Sequence, residues 1–291
     1  MLLSVATNAY LKKVTLTQTI DIIAEAGFDA IDFSFYKEKY FSTEDVPESS
    51  RKFFIETRKY AESRGLVFNQ AHAQHPTSSD SEQDTETRFG NIVRTMRNAS
   101  LLGIKNIVVH PYQHLDYFKS GVPEQLFEMN MAFYKRLIPY CEEYGIRVAL
   151  ENMWRYRPSS GKIDHSTLSR PEEFIRYLDE LANPCFTACL DIGHAMLVCE
   201  DIPTFIRKLG AERLTALHVH DVDGLRDSHT APFYGICPWD DITVALGEIG
   251  YSGDFTYETT NFIQNLPAEL FLSGSMHLAN IGRYLIGKIE G

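Results

Sequence analysis

The segment ALHVHDVDGLRDSH, residues 216–229, concentrates side chains that bind metals and transfer protons. Three histidines and three aspartates follow an apolar run there: His218, His220, His229, Asp221, Asp223 and Asp227. Imidazole nitrogens and carboxylate oxygens bind divalent cations and act as acids and bases. His218 and His220 are two residues apart, so they face the same side of a strand. Because His220 is nearer the strand end, we take it as the better ligand candidate and His218 as an inner-layer residue or one that orients a ligand.

Similar side chains lie at or just beyond the ends of other apolar runs: His72, His110, Glu151, Asp191, His194 and Glu258. A lone histidine there is more often a hydrogen-bonded core or rim residue, and a lone carboxylate is often half of a salt bridge. The repetition of carboxylate and imidazole side chains at the ends of successive runs favours a metal site, since the last four runs end in Glu, Asp, His and Glu. Carboxylates gathered without a cation would repel one another. This mixture of oxygen and nitrogen ligands suits Mn²⁺, Mg²⁺, Co²⁺ or Zn²⁺.

Eight short β-rich apolar runs would position these side chains. They cover residues 2–7, 30–35, 66–72, 106–111, 147–152, 186–191, 214–220 and 255–260. Between them, helices are predicted from a Thr15 cap to Gly27 and over 123–145, and a closing helix over about 266–287. Alternating strands and helices predict right-handed parallel crossovers. Eight strand–helix units favour an α/β fold with one (β/α)₈ TIM barrel over residues 1–291. An open dinucleotide-binding sheet is disfavoured, since no Gly-rich fingerprint follows the first run.

Composition narrows the class of protein. The 39 acidic and 28 basic residues give a formal net charge of −11, which disfavours nucleic acid as a partner. No apolar stretch is long enough for a membrane span, and the first residues do not read as an export signal. Five irregularly spaced cysteines are typical of reduced thiols. We therefore expect a cytoplasmic protein without membrane or nucleic-acid partners. Because the outer helices of barrels commonly pair, we also consider a homo-oligomer.

The order NQAH, VVHP, ALEN, LDIGH and HVHDVDGLRDSH, followed by a Glu on the last strand, resembles the xylose isomerase-like barrel superfamily over nearly the whole chain. That group includes ketose 3-epimerases, hydroxypyruvate isomerases, inositol-pathway isomerases and apurinic-site endonucleases. The resemblance implies a metal-dependent isomerase or epimerase of a small sugar, sugar phosphate or keto-polyol. The cation would be held by the residues that match the family ligands: Glu151, Asp191, His220 and Glu258. His194 and Arg226 match positions that bind substrate oxygens.

The implied chemistry is reasonable on physical grounds. A cation that binds adjacent carbonyl and hydroxyl oxygens acidifies the C–H bond between them and stabilises the enediolate. Glu151 and Glu258 on opposite faces would remove and return the proton. One base acting on one face gives an aldose–ketose isomerase, whereas two opposed bases give an epimerase. We also expect the substrate to contact His72, His110 and the loop that follows the fifth run.

That loop, residues 153–162, carries one tryptophan and three cations: Trp154, Arg155, Arg157 and Lys162. It reads equally well as a solvated loop with an aromatic residue packed on the rim. Arginine forks recognise phosphate and carboxylate groups, so we also consider a clamp for a phosphorylated or acidic sugar, with Trp154 and Arg155 as substrate contacts.

Two alternatives remain at this stage. In the apurinic-site endonucleases three zinc ions are bound, and this chain has the right residue type at all nine matching positions: His72, His110, Glu151, Asp191, His194, His220, Asp227, His229 and Glu258. The loop before the Asp227–His229 pair is shorter than in those enzymes, and the acidic net charge disfavours DNA. The other alternative is a barrel that has lost its chemistry, but such a barrel should also have lost ligands.

Overall fold

The computed structural model describes residues 1–41 and 48–291. Ten strands occur in this part of the chain: β1 (Leu3–Ala6), β2 (Ala30–Ser34), β3 (Val67–His72), β4 (Asn106–Val108), β5 (Arg147–Glu151), β6 (Trp154–Tyr156), β7 (Ile163–His165), β8 (Phe186–Asp191), β9 (Leu214–His218) and β10 (Phe255–Tyr257). The α-helices are α1 (Leu16–Glu25), α2 (Glu48–Ser63), α3 (Glu82–Leu102), α4 (Val122–Lys135), α5 (Ile138–Tyr144), α6 (Pro171–Leu181), α7 (Ile192–Leu197), α8 (Ile202–Arg213), α9 (Trp239–Glu248), α10 (Thr260–Gln264) and α11 (Phe271–Glu290). Short 3₁₀ turns lie at Tyr10–Lys12, Glu38–Tyr40 and Ala268–Leu270.

Eight parallel strands follow one another in the order β10-β1-β2-β3-β4-β5-β8-β9. The circle closes between β9 and β10, where the Val219 N–H donates to the Thr256 carbonyl (2.8 Å) and the Glu258 N–H donates to the Val219 carbonyl (3.0 Å). Each of these eight strands lies within one of the eight predicted runs. The (β/α)₈ barrel predicted from the alternating pattern is therefore confirmed.

Inside the barrel, alternate strand residues form layers. One layer is a small cluster of buried, mutually contacting side chains: Val108, Ala149, Cys189 and Ala216. Because strand side chains alternate with period two, the next interior positions on these strands lie one step nearer the C-terminal mouth. Those positions are His110, Glu151, Asp191 and His218. The polar strand ends thus meet directly above an apolar floor.

Helix α1 shows why the first crossover begins and ends where the sequence predicts. The Thr15 side chain accepts from the Gln18 N–H, and the Gln18 side chain accepts from the Thr15 N–H at 2.9 Å. This reciprocal pair satisfies donors that a helix N-terminus leaves unpaired. After the helix, Gly27 adopts φ +91°, a left-handed conformation that glycine tolerates best.

Three predicted elements differ from the structure. The helix predicted over 123–145 is divided into α4 and α5, because Pro139 has no N–H to donate to the carbonyl of Lys135. The closing helix begins at Phe271 and runs to Glu290, with α10 and a 3₁₀ turn before it. The loop 153–162 contains β6, which forms an antiparallel hairpin with β7 directly after the loop.

Within residues 1–41 and 48–291, no helix combines the length and the apolar character that a bilayer crossing requires.

Candidate metal centre and active site

Three carboxylates and one imidazole meet above the apolar floor. They come from the ends of β5, β8 and β9 and from the residue after β10, and we call them the primary set: Glu151, Asp191, His218 and Glu258. Nδ1 of His218 lies 3.1 Å from Glu151 Oε1 and 3.3 Å from Glu258 Oε2. Its distance to Asp191 Oδ2 is 3.8 Å. One ligand atom from each residue lies within 4.8 Å of the other three, so one cation can contact all four.

His218, rather than the predicted His220, belongs to this set. In the register of β8 and β9 the partner of Asp191 is His218. His220 lies two residues further along, where its Nε2 is 3.0 Å from Asp191 Oδ1 and its ring stacks on His229 at 4.0 Å. Gly193 makes room for that ring, since a Cβ there would lie 2.0 Å from His220 Cε1. Both imidazoles reach Asp191, but only His218 also reaches Glu151 and Glu258, and strand register rather than nearness to the strand end decides this.

The second oxygen of Glu151 reaches a pair of histidines. Its Oε2 lies 2.9 Å from His110 Nε2 and 3.4 Å from His72 Nε2, and the two imidazole nitrogens are 3.0 Å apart. Neighbouring ligand atoms around a cation with bonds of about 2 Å have separations of this order. Glu151 therefore connects the primary set to a second group that could hold a cation, formed by His72, His110 and Glu151.

A third group lies on the other side of the primary set, with His194, His220, Asp227 and His229 as its members. Asp227 Oδ2 is 3.0 Å from His229 Nε2 and 3.4 Å from His194 Nε2. Its Oδ1 is 4.0 Å from His220 Nε2. The structure thus brings the predicted additional ligands to the same mouth as the primary set, in two separate groups.

Backbone carbonyls fix the tautomer of three of these histidines. Nδ1 lies 2.7 Å from the Ala73 carbonyl in His72, 2.9 Å from the Asn152 carbonyl in His194 and 2.8 Å from the Glu258 carbonyl in His229. Because a carbonyl oxygen can only accept, each Nδ1 must carry a proton. In the neutral ring the Nε2 lone pair then faces the carboxylates, which is the arrangement typical of imidazole ligands.

The electrostatics of the site favour ionised carboxylates. Burial opposes ionisation of Glu151, but His218 and His110 outweigh it and hold its pKa well below the ordinary value. The same balance lowers the pKa of Asp227, where His194 outweighs burial. Against the effect of burial, Asp227 in turn raises the pKa of His229 to about 9. The cavity therefore collects charge of both signs at one point.

The groups at the strand ends fit divalent cations. Glu151 Oε2, which faces the second group, and Asp227 Oδ1, in the third group, are buried, and neither makes a hydrogen bond of ordinary geometry within the described residues. Buried polar atoms are nearly always paired, and three adjacent carboxylates repel one another unless a positive charge lies between them. Carboxylate oxygens with one imidazole nitrogen form a donor set that Mn²⁺, Mg²⁺, Co²⁺ and Zn²⁺ accept.

Three supporting residues were not found from the sequence. The Asn152 side chain accepts from the Asp191 N–H at 2.7 Å and donates to the Asp191 carbonyl at 2.9 Å, which fixes the end of β8. Asp32 is buried on β2, with Oδ2 3.7 Å from His218 Nε2. Tyr36 lines the cavity, and burial first and Glu258 next raise its pKa well above the ordinary value. The one available signal was an aspartate inside the apolar run AIDFSF.

A cavity of about 460 Å³ opens above the three groups. It is lined by Tyr36, His72, His75, Pro76, Thr77, Ser78, His110, Pro111, Gln113, His114, Glu151, Met153, Trp154, His194, Asp227, His229 and Glu258. In the part of the chain that the structure describes, no lysine or arginine is among these lining residues. Trp154, predicted as a substrate contact, does line the cavity, and its indole N–H donates to Asp227 Oδ2 at 3.3 Å.

The predicted cationic contacts lie elsewhere. The Arg226 side chain is 77% exposed, pairs with Asp223 at 2.9 Å and borders a separate surface cavity. Arg155 donates to the Leu115 carbonyl, and Arg157 pairs with Asp164 at 2.6 Å. Lys162 is exposed. The three arginines are turned to backbone or acidic partners, and none of the four cations lines the cavity, so the structure does not assemble the anion clamp considered from the sequence.

A closed parallel barrel with a carboxylate–imidazole cluster at its C-terminal mouth defines a class of barrel proteins with a candidate metal site there. Within that class, the model of the xylose isomerase-like TIM barrel family matches residues 20–277 of this chain. The chain belongs to this family.

Individual relatives are distant. Uncharacterized protein y4fM of Sinorhizobium fredii (strain NBRC 101917 / NGR234) is 25% identical over 84% of this chain and 81% of its own length. D-psicose 3-epimerase of Agrobacterium fabrum (strain C58 / ATCC 33970) is 21% identical over 80% of this chain and 75% of its own length. Among solved structures, IolI protein with a bound zinc atom superposes with a TM-score of 0.77 at 17% identity, covering 97% of this chain and 98% of its own. Relatives of this chain thus include sugar 3-epimerases.

Proposed function

We propose that this chain is a divalent-metal-dependent epimerase or isomerase of an uncharged sugar with a keto group. The observation that carries the proposal is the primary set, in which Glu151 and Glu258 approach the same His218 nitrogen within 3.3 Å. Relatives that are sugar 3-epimerases support the reaction class. Within the described residues, no lysine or arginine lines the cavity. This supports an uncharged substrate rather than a sugar phosphate.

A cation held by Glu151, Asp191, His218 and Glu258 would supply Lewis-acid chemistry that acidifies a C–H bond next to a carbonyl group. The protein supplies the proton transfer. The lowered pKa of Glu151 keeps this carboxylate ionised and able to accept a proton from carbon. Glu258, which follows β10, would hold the proton that returns to the carbon from the other face. If Glu151 alone served both steps, the reaction would be an isomerisation.

Other residues of the cavity would bind and orient the sugar. His194 and His229 each hold a fixed Nδ1 proton on a backbone carbonyl, so their rings cannot turn away from the cavity. Tyr36 keeps its phenolic proton because its pKa is raised, and it can donate to a sugar oxygen. The indole face of Trp154 offers an apolar surface for sugar C–H groups.

Deuterium exchange tests the proposal directly. The protein is loaded with Mn²⁺ or Co²⁺ and incubated in D₂O with a panel of free ketoses, and C–H signals are followed by NMR. We expect one C–H of an accepted sugar to exchange, and Glu151→Gln or Glu258→Gln to slow exchange by about 10²-fold or more. Glu269→Gln, at an exposed position away from the cavity, is the matched control. Exchange that survives in both test variants would refute the assignment of the bases.

Metal-assisted phosphodiester cleavage is the second candidate, and the second and third groups are the observation that favours it. Within the described residues no lysine or arginine lines the cavity, and this disfavours a nucleic-acid substrate. Elemental analysis of wild type and His229→Ala separates the two candidates. One metal per chain that survives His229→Ala supports sugar chemistry. Two or three zinc ions per chain, with fewer in the variant, would support phosphodiester cleavage instead if the protein also cleaves a duplex with an abasic site.

A further inference from the structure

The cavity has two chemically different walls. The first is formed by the metal-binding groups at the strand ends. The second comes from the loops after β3 and β4 and presents four neutral polar side chains, which we call the loop wall: Thr77, Ser78, Gln113 and His114. The proposed reaction at the primary set uses none of them. Burial also lowers the pKa of His114, so its imidazole stays neutral above its ordinary titration range.

Hydrogen bonds hold the loop wall in place. Ser78 Oγ and His114 Nδ1 are 2.7 Å apart, and the Thr77 hydroxyl donates to the Pro111 carbonyl at 3.1 Å. These two contacts connect the loop after β3 to the loop after β4. The Gln113 side chain donates to Ser166 Oγ at 2.9 Å, which ties the same wall to the segment after β7. A wall fixed in this way is preorganised and loses little side-chain entropy when a ligand binds.

Hydrogen-bonding capacity remains on this wall after these contacts are made. Gln113 Oε1 and His114 Nε2 make no hydrogen bond to any described residue, and both residues line the cavity. A carboxamide oxygen accepts from hydroxyl groups, and a neutral imidazole with Nδ1 bonded to a hydroxyl can donate or accept at Nε2. The wall lacks charged side chains, so it would not compensate a phosphate, carboxylate or ammonium group. Its chemistry matches uncharged, hydroxylated ligands.

The size of the cavity exceeds what the reacting centre needs. About 460 Å³ lies in the range of cavities that enclose drug-sized ligands, whereas the primary set acts on two adjacent oxygens and one carbon. The loop wall comes from other segments than the strand ends that carry the primary set, so it is available to a group beyond the reacting atoms. We propose that the loop wall is a second subsite for an uncharged hydroxylated group attached to the reacting sugar. This inference rests on the proposed function, and it makes the preferred substrate a glycosylated ketose rather than a free one.

Paired substrates test the subsite. D-fructose and isomaltulose, in which a glucose is attached to the fructose O6, are compared with the metal-loaded full chain by deuterium exchange and by calorimetric binding. We expect kcat/KM and affinity to be at least ten-fold higher for the disaccharide, as one or two added hydrogen bonds would give. Equal affinity for the two sugars would overturn the inference even if both react.

Variants locate the effect. Gln113→Leu removes the acceptor with similar side-chain volume, and Ser78→Ala removes the hydroxyl group. Both should lower the disaccharide-to-monosaccharide ratio of kcat/KM several-fold, whereas Gln125→Ala, at an exposed position on α4, should not. Thermal unfolding confirms that each variant folds. A ratio unchanged in both test variants contradicts the subsite. If neither sugar exchanges deuterium but the disaccharide binds more tightly, the proposed function fails while the subsite stands.

Discussion

Nε2 of His218 lies 3.7 Å from Oδ2 of the buried Asp32, while Nδ1 of the same ring faces the carboxylates of the primary set. Imidazole ligands commonly hold a carboxylate on the nitrogen that does not bind the metal, and this partner fixes the ring orientation. At 3.7 Å this contact is electrostatic and too long for a hydrogen bond. The primary set therefore has a support that comes from β2, two strands away from β10 in the barrel.

Removing that support should weaken metal binding. We expect Asp32→Asn to raise the dissociation constant for Mn²⁺ or Zn²⁺ by about 10–100-fold, because the amide no longer attracts the Nε2 proton of His218. Titration against a chelator measures the constant directly. Asp241→Asn, an exposed change on α9, should leave it unaltered. Equal constants for wild type and Asp32→Asn would show that Asp32 has no positioning role.

The two histidines of the HVH motif should behave differently. His218→Asn removes a member of the primary set, so we expect loss of the catalytic metal and of deuterium exchange. His220→Asn leaves the four residues of the primary set intact, so metal should still bind there. Elemental analysis of both purified variants, with unfolding curves to check folding, measures the difference. A metal-free His220→Asn beside a metal-loaded His218→Asn would restore the assignment made from sequence.

This pair also shows what the sequence can and cannot determine. The convergence of Glu151, Asp191 and Glu258 was predictable, because parallel strands in a barrel deliver their C-terminal residues to one mouth. Their role as ligands stays a prediction. The choice between His218 and His220 was not predictable, because both point inward and only the pairing of β8 with β9 sets their depth.

Physical reasons also explain why other predicted residues lie apart from the cavity and why some supporting residues were not found from the sequence. Arg226 follows the motif at the expected spacing, but a long exposed side chain takes its place from local partners, here Asp223. Asp32 sits in an apolar run where a carboxylate suggests either a partner or a function, and its partner comes from β9. Such contacts between distant strands leave no local pattern in the chain.

Asp221 should anchor the loop that carries Asp227 and His229. Its two carboxylate oxygens accept from four donors: the backbone N–H groups of Val222 (2.9 Å), Phe233 (3.0 Å) and Cys237 (3.0 Å) and the indole N–H of Trp239 (2.8 Å). Asp221→Asn turns an NH₂ group toward one pair of donors and leaves them unpaired in a buried site. We expect the free energy of unfolding to fall by about 2–4 kcal/mol.

Urea unfolding of the metal-loaded protein measures this loss. Asp241→Asn removes a carboxylate of the same type from the surface and should change the free energy of unfolding by less than about 0.5 kcal/mol. A loss for Asp221→Asn that is as small as in this control would mean that the loop is held by its apolar contacts instead.

Glu173, on α6, should make stability depend on pH. Burial raises the pKa of this carboxyl to about 7, although Tyr117 donates a hydrogen bond to it at 3.1 Å. In the unfolded chain it ionises near pH 4.5. Because the pKa is higher in the folded protein than in the unfolded chain, the contribution of this carboxyl to the free energy of unfolding is complete below pH 4.5. It is lost as the pH rises to 7. Glu173→Gln stays neutral, so it should gain stability relative to wild type across this interval.

The expected gain is about 1–3 kcal/mol, after allowing for the partial exposure of the side chain. Urea unfolding at pH 5 and pH 8, at constant metal concentration, gives the difference between variant and wild type at each pH. The effect of pH on metal binding is common to both proteins and cancels in that difference. Glu180→Gln, exposed on the same helix, should show no such change. A difference for Glu173→Gln that is the same at both pH values would show that this carboxyl titrates normally in the folded protein.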